Sequence, residues 1–137
     1  MIKKKSIIFL FNLLIFLFTN RVYAGQQYEG IWAWEKNNGS RDFSVKIINN
    51  GKYYIGTYCA VVNNGGRIDC SENDTPSFQF KNTQNDIITT EFKTYYTEST
   101  GKVKLTFHKN KLTWEIIKEP KGEYYCPKKA ILYKIIE

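Results

Sequence analysis

The stretch Val103-Lys104-Leu105-Thr106-Phe107-His108-Lys109-Asn110-Lys111-Leu112-Thr113-Trp114-Glu115-Ile116 decides the fold. Apolar residues occupy every second position of its first half, stop at Lys109-Asn110-Lys111, and resume at every second position after it. Side chains of an extended chain alternate between two faces, so each half reads as a strand with one face on a core and one in water. The polar break between them reads as a hairpin turn. Phe43, Val45 and Ile47, interleaved with Ser44 and Lys46, repeat the pattern upstream.

Turn signals continue outward in both directions. They include Asn37-Asn38-Gly39-Ser40, Asn49-Asn50-Gly51, Asn63-Asn64-Gly65-Gly66 and Asn73-Asp74-Thr75-Pro76, and further ones at residues 82–86, 98–101 and 119–122. Asn and Gly tolerate the positive φ that tight turns require. Short strands at such intervals predict an all-β fold, an antiparallel meander of eight to nine strands closing into a small barrel. No segment after residue 24 has a helical stripe. Residues 126–136 are compatible with a last strand or a short helix.

The N-terminus has a different character. Lys3, Lys4 and Lys5 precede an apolar run over residues 7–18, with Val22 and Ala24 at the positions a signal peptidase reads. The run is about a dozen residues, short of the roughly 20 that span a bilayer. The expectation is a cleaved signal helix over 1–24 and one domain over 25–137, with no stable membrane anchor. No cysteine precedes Cys59, so no lipidated cysteine stands at the cleavage point. The expected location is the periplasm or the medium.

Of the 20 basic residues, Lys3, Lys4, Lys5 and Arg21 leave with the signal and no acid does. Against 13 acids the remaining 16 bases give a balance of +3, which supplies no reason to expect a nucleic-acid partner.

Gly30-Ile31-Trp32, preceded by Tyr28, resembles the Gly-x-Trp that opens the first strand of lipocalins and related calycin barrels. The layout is also similar to small exported bacterial β-barrels of unassigned activity. The resemblance implies a calycin-like barrel with Trp32 plugging one end. It also implies, as an alternative function, carriage of a small apolar ligand in the interior.

Constellations for catalysis are not evident. His108 is the only histidine and alternation puts it on the outer face, so a Cys126–His108 pair has nothing further to commend it. Cys59 and Cys70 lack the pairing of a zinc set, and Asp69, Glu72 and Asp74 lack the ligand alternation of a calcium loop. That acidic cluster reads as a solvated turn. No metal, cofactor or catalytic residue is expected.

Three cysteines remain, an odd number. Cys59 and Cys70 flank the turn at Asn63 to Gly66, where an antiparallel hairpin can bring them into bridging distance. The expected disulfide is Cys59–Cys70 with Cys126 left over; a bridge from Cys126 to either is the alternative pairing.

Aromatic residues are in surplus. The pairs Tyr53-Tyr54, Tyr95-Tyr96 and Tyr124-Tyr125 would each put one ring inside and one outside if they lay on strands. Exposed tyrosine suits recognition surfaces. The reading is a non-catalytic exported protein acting through a protein partner, as an inhibitor of, or immunity factor against, an envelope-targeting enzyme. Function concentrates on loops, so Asn63, Asn64, Asp69, Glu72 and Asp74 are the candidate contact residues.

Overall fold

The computed structural model describes residues 27–35 and 40–136. The expected signal over 1–24 lies outside the described residues. Nine strands follow in chain order: β1 Gly30–Ala33, β2 Asp42–Asn49, β3 Tyr53–Val62, β4 Arg67–Cys70, β5 Phe78–Lys81, β6 Ile87–Lys93, β7 Thr100–His108, β8 Lys111–Lys118 and β9 Lys129–Lys134. Residues 126–136 thus supply a strand. Every pairing is antiparallel, and the sheet runs β4-β3-β2-β1-β9-β8-β7-β6, with β5 also on β3. The first and last strands are therefore neighbours, Ala33 opposite Tyr133.

The sheet curls into a half-barrel. Its two margins, β5 and β6, come together without a ladder. Lys93 N–H donates to Ser77 O at 2.9 Å, while the Ser77 and Thr90 hydroxyls donate to Lys93 O at 2.7 Å and Gln79 O at 3.0 Å.

β4 and β5 are one interrupted strand. Both lie along the same edge of β3, and Ser71 N–H and Ser77 N–H donate to Tyr58 O and Gly56 O at 3.2 and 2.8 Å. The residues between them bulge out opposite Thr57 alone. Asn73 and Asp74 turn the bulge with φ of 54° and 56°, a left-handed conformation that short polar side chains accept most readily. The hairpin between β3 and β4 turns at Asn63, Asn64 and Gly65, with φ of 55°, 52° and 94°.

Alternation sets the core. Phe43, Val45, Ile47, Val103, Leu105, Phe107, Leu112 and Trp114 are all buried, while Lys46 and His108 are exposed. Fully burying one such side chain stabilises the fold by about 1.5–3 kcal/mol. Aromatic rings fill the centre: Phe43 and Phe92 each stand edge-on to Trp114 at 5.3 Å, and Tyr28 to Phe107 at 4.8 Å. Trp32 is buried against Phe107 at 5.5 Å, its indole N–H bonded to Tyr28 O at 3.1 Å, and the Lys134 ammonium lies 5.4 Å from its ring. Trp34 is half-buried beyond the end of β1, packed against the core. Among the described residues no helix is long and apolar enough to cross a membrane.

Candidate functional site

The β3–β4 hairpin places Cys59 opposite Cys70, and the two form a disulfide. Cys59 lies within β3 rather than at its end. An intramolecular disulfide belongs to a non-reducing compartment. Closing the short loop between cysteines 11 residues apart is worth about 2–3 kcal/mol by the chain-entropy estimate. Cys126 is free and buried.

The same register puts Asp69 opposite Ala60, on the inner face. Asp69 is completely buried, which corrects the reading of Asp69, Glu72 and Asp74 as one solvated turn. Its Oδ1 accepts the Tyr58 hydroxyl and the Tyr95 and Tyr96 backbone N–H groups, each at 3.0 Å. Its Oδ2 accepts the Tyr125 N–H at 3.0 Å. A buried charge is tolerated only when its lone pairs are met in this way.

Tyr58 stands on β3, and the three backbone donors come from two loops, residues 94–99 between β6 and β7 and residues 119–128 between β8 and β9. The bulge at 71–77 is stitched to the same cluster: Tyr95 OH donates to Thr75 O at 2.6 Å. Thr97 Oγ1 donates to Glu123 O at 2.9 Å, joining the two loops directly. Asp69 is thus the buried pin of a three-loop end. Around it stand Tyr95, Tyr96, Tyr124 and Tyr125, with the Tyr96 and Tyr125 rings edge-to-face at 4.9 Å. A groove of about 590 Å³ runs along this end between Ile68, Glu72, Pro76, Tyr95, Tyr96 and Glu98. A second, of about 490 Å³, lies across Tyr125 and is lined by Arg41, Val62 and Lys128.

The tyrosine pairs correct the strand-based expectation. Tyr54 is buried and Tyr53 half-buried on β3, but the other two pairs lie in loops, where no alternation applies. Tyr95, Tyr124 and Tyr125 are half-buried and Tyr96 is exposed.

Of the other candidate contact residues, Asn63 and Asn64 are exposed at the hairpin tip, while Glu72 and Asp74 are exposed on the bulge. The four residues of β4 separate the two groups by about 13 Å, so they do not form one surface. Glu72 joins the tyrosine groove; Asp74 lies 4.0 Å from Lys46. The tyrosines themselves are the members that the loop-based choice left out.

Burial and neighbouring carboxylates hold the proton on Cys126 and on several tyrosines of this end. Burial, with the Asp69 carboxylate next, pushes the Cys126 thiol up to about 12. Burial raises Tyr58 and Tyr95 as well. Tyr124 is pushed up to about 12 by burial and by Glu119, which accepts its hydroxyl at 2.9 Å. Tyr125 is pushed up to about 12 chiefly by its hydrogen bond to Glu123. Glu119 is held below the usual carboxylate range by Lys128, 2.9 Å away, and by Tyr124. At neutral pH Tyr58, Tyr95, Tyr124 and Tyr125 are therefore neutral phenols, and Glu119 is an ionised carboxylate.

The pairing of Cys126 with His108 is not formed. β7 starts beside the tyrosine loops and carries His108 at its far end, about 27 Å along the strand. Among the described residues no group of three or more His, Cys, Asp or Glu side chains is placed to hold a metal ion. No protein-family model matches the chain, and neither a curated protein nor a solved structure matches it.

Proposed function

We propose that this chain is an exported, non-catalytic protein that acts by binding a protein partner through its tyrosine end. The periplasm or the medium is its place of work, as the basic and apolar leader and the disulfide together favour. An inhibitor of, or immunity factor against, an envelope-targeting enzyme is the role that suits a small rigid scaffold of this kind.

One observation carries the reading. Asp69 holds the backbones of Tyr95, Tyr96 and Tyr125 at a single buried point, so these rings are fixed before any partner arrives. Pre-set aromatic side chains lose little freedom on binding, which is why tyrosine anchors so many interfaces. The lipocalin-like alternative, carriage of a small apolar ligand, would need space now occupied by Phe43, Tyr58, Phe92 and Trp114.

Native mass spectrometry of the protein recovered from its own cells tests the reading. A protein-sized adduct that Y96A and Y125A each weaken by about tenfold or more is the expected result, in the range of an aromatic anchor. A small-molecule adduct in its place would transfer the case to the carrier reading.

A further inference from the structure

Among the described residues, four of the ten exposed large apolar side chains lie together on another surface: Ile31, Ile131, Tyr133 and Ile135, between 38% and 50% exposed. Alternation explains their direction. Ala130 and Leu132 of β9 are buried, so Ile131 and Tyr133 face outward, and Ile135 continues the row. On β1 the buried Trp32 turns Ile31 and Ala33 outward. The pairing of β1 with β9 joins the two sets: Ala33 stands opposite Tyr133, and Ile135 N–H donates to Ile31 O at 2.8 Å.

Lysines border this strip. Lys111 is opposite Tyr133, its ammonium 5.9 Å from the ring, and Lys46 is opposite Ile31. Lys109 sits at the tip of the β7–β8 hairpin, where Asn110 O accepts the Lys134 N–H at 2.9 Å. Of the acids on this side, Glu115 lies 3.9 Å from Lys129, Asp74 lies 4.0 Å from Lys46, and Glu29, exposed two residues before Ile31, accepts the Asn49 N–H at 3.3 Å. The surface is therefore apolar along its middle, with Lys109 and Lys111 at its margin outside these ion pairs.

We propose that this outward face of β9 and β1 adsorbs to a bilayer containing anionic lipid, the isoleucines entering the headgroup layer and the lysines meeting lipid phosphates. A second copy of the chain is a poor occupant, because pairing two such faces would set their lysine borders together. A partner protein would seat an anchoring side chain in a pocket, whereas this strip is the outside of a curled sheet. Exposed apolar side chains ringed by lysine are what an anionic membrane surface recruits. The proposal is independent of the tyrosine end.

The test uses the protein as its cells export it, with the N-terminus read by mass spectrometry. It is sedimented with vesicles of phosphatidylcholine, alone or with a quarter of phosphatidylglycerol. Sedimentation with the anionic vesicles alone is expected, falling about tenfold or more when salt rises from about 0.05 to about 0.5 M. The pairs I131S/I135S and K109E/K111E should each cut binding about tenfold or more at low salt, and Y96A should leave it unchanged. All four side chains are exposed, so unfolding midpoints should hold; if the serine pair unfolds, the lysine pair decides. Equal binding to both vesicles, binding to neither, or indifference to both pairs overturns the proposal. So does stoichiometric capture of an acidic protein on this face without vesicle binding.

Discussion

The Tyr125 N–H donates to Asp69 Oδ2 at 3.0 Å across 56 residues of chain, tying the β8–β9 loop to the disulfide-bonded hairpin. Because Oδ1 of the same carboxylate holds Tyr58, Tyr95 and Tyr96, one side chain sets the relative position of β4 and two loops.

Replacing that side chain should be costly in a graded way. Asp69→Ala removes the acceptor of four donors, one of them fully buried, and should lower stability by about 3–5 kcal/mol. Asp69→Asn keeps one acceptor oxygen and turns an amide toward Tyr125 N–H, so its loss should be smaller, about 1–3 kcal/mol. Urea unfolding ranks the two variants, and equal midpoints for all three proteins would show that the carboxylate holds nothing.

The disulfide is one residue from this carboxylate. Reducing Cys59–Cys70 should lower stability by about 2–3 kcal/mol. It should also release the four-residue β4, and with it the amides that Asp69 accepts. Hydrogen exchange at Tyr95, Tyr96 and Tyr125 should therefore quicken more than exchange at Leu105 or Leu112 in the core. Uniform quickening would separate the disulfide from the loops.

Alkaline pH should weaken the fold. The Cys126 thiol moves from 9.0 to about 12 on folding, so the folded chain holds this proton more tightly than the unfolded one. Stability is then level below about pH 9 and falls as pH rises from there toward 12, by at most about 1.4 kcal/mol per pH unit for one group. The raised tyrosines Tyr58 and Tyr124 act in the same direction. Thermal midpoints across this range, with Cys126→Ala showing a shallower decline, provide the check. A thiol-specific disulfide reagent should leave the native protein untouched at about pH 8 and label it in urea, as expected for a buried protonated thiol.

Gly56 answers to sterics. A Cβ there would come within 2.0 Å of the Phe78 ring, which lies over the bare backbone of β3. Gly56→Ala should destabilise by about 1–3 kcal/mol. The penalty should shrink in a Phe78→Leu background, and a double-mutant cycle in denaturant measures the difference. Full additivity would show that the ring is not what excludes the methyl.

The strands were legible because the buried residues obey a period of two over runs as long as Val103 to Phe107. The disulfide was legible because its cysteines flank an Asn-Gly turn. Asp69 was misplaced, although the signal was present. Once Cys59 is set opposite Cys70, Ala60 falls opposite Asp69, and an inward Tyr58 makes both of these inward too. Assigning the acid to a turn overlooked the register that the bridge itself fixes. The tyrosine end was not legible in the same way: its loops are held by backbone N–H groups, which every residue carries and no composition reveals. The bulge between β4 and β5 was equally hidden, since its residues carry the same turn signals as a simple hairpin.

The adjacency of β1 and β9 bears on how the molecule comes into being. β9 lies in the middle of the sheet, between β1 and β8, yet it follows the other eight described strands in the chain. Until it arrives, β1 has an open edge on one side, and the β6–β8 half has no partner on its own open edge. Neither half can seal its aromatic interior alone. A chain synthesised from its N-terminus must remain incomplete until β9 arrives, in a form with unpaired edges prone to association. β9 is the keystone, and a truncation that removes it should undo the arch rather than trim it.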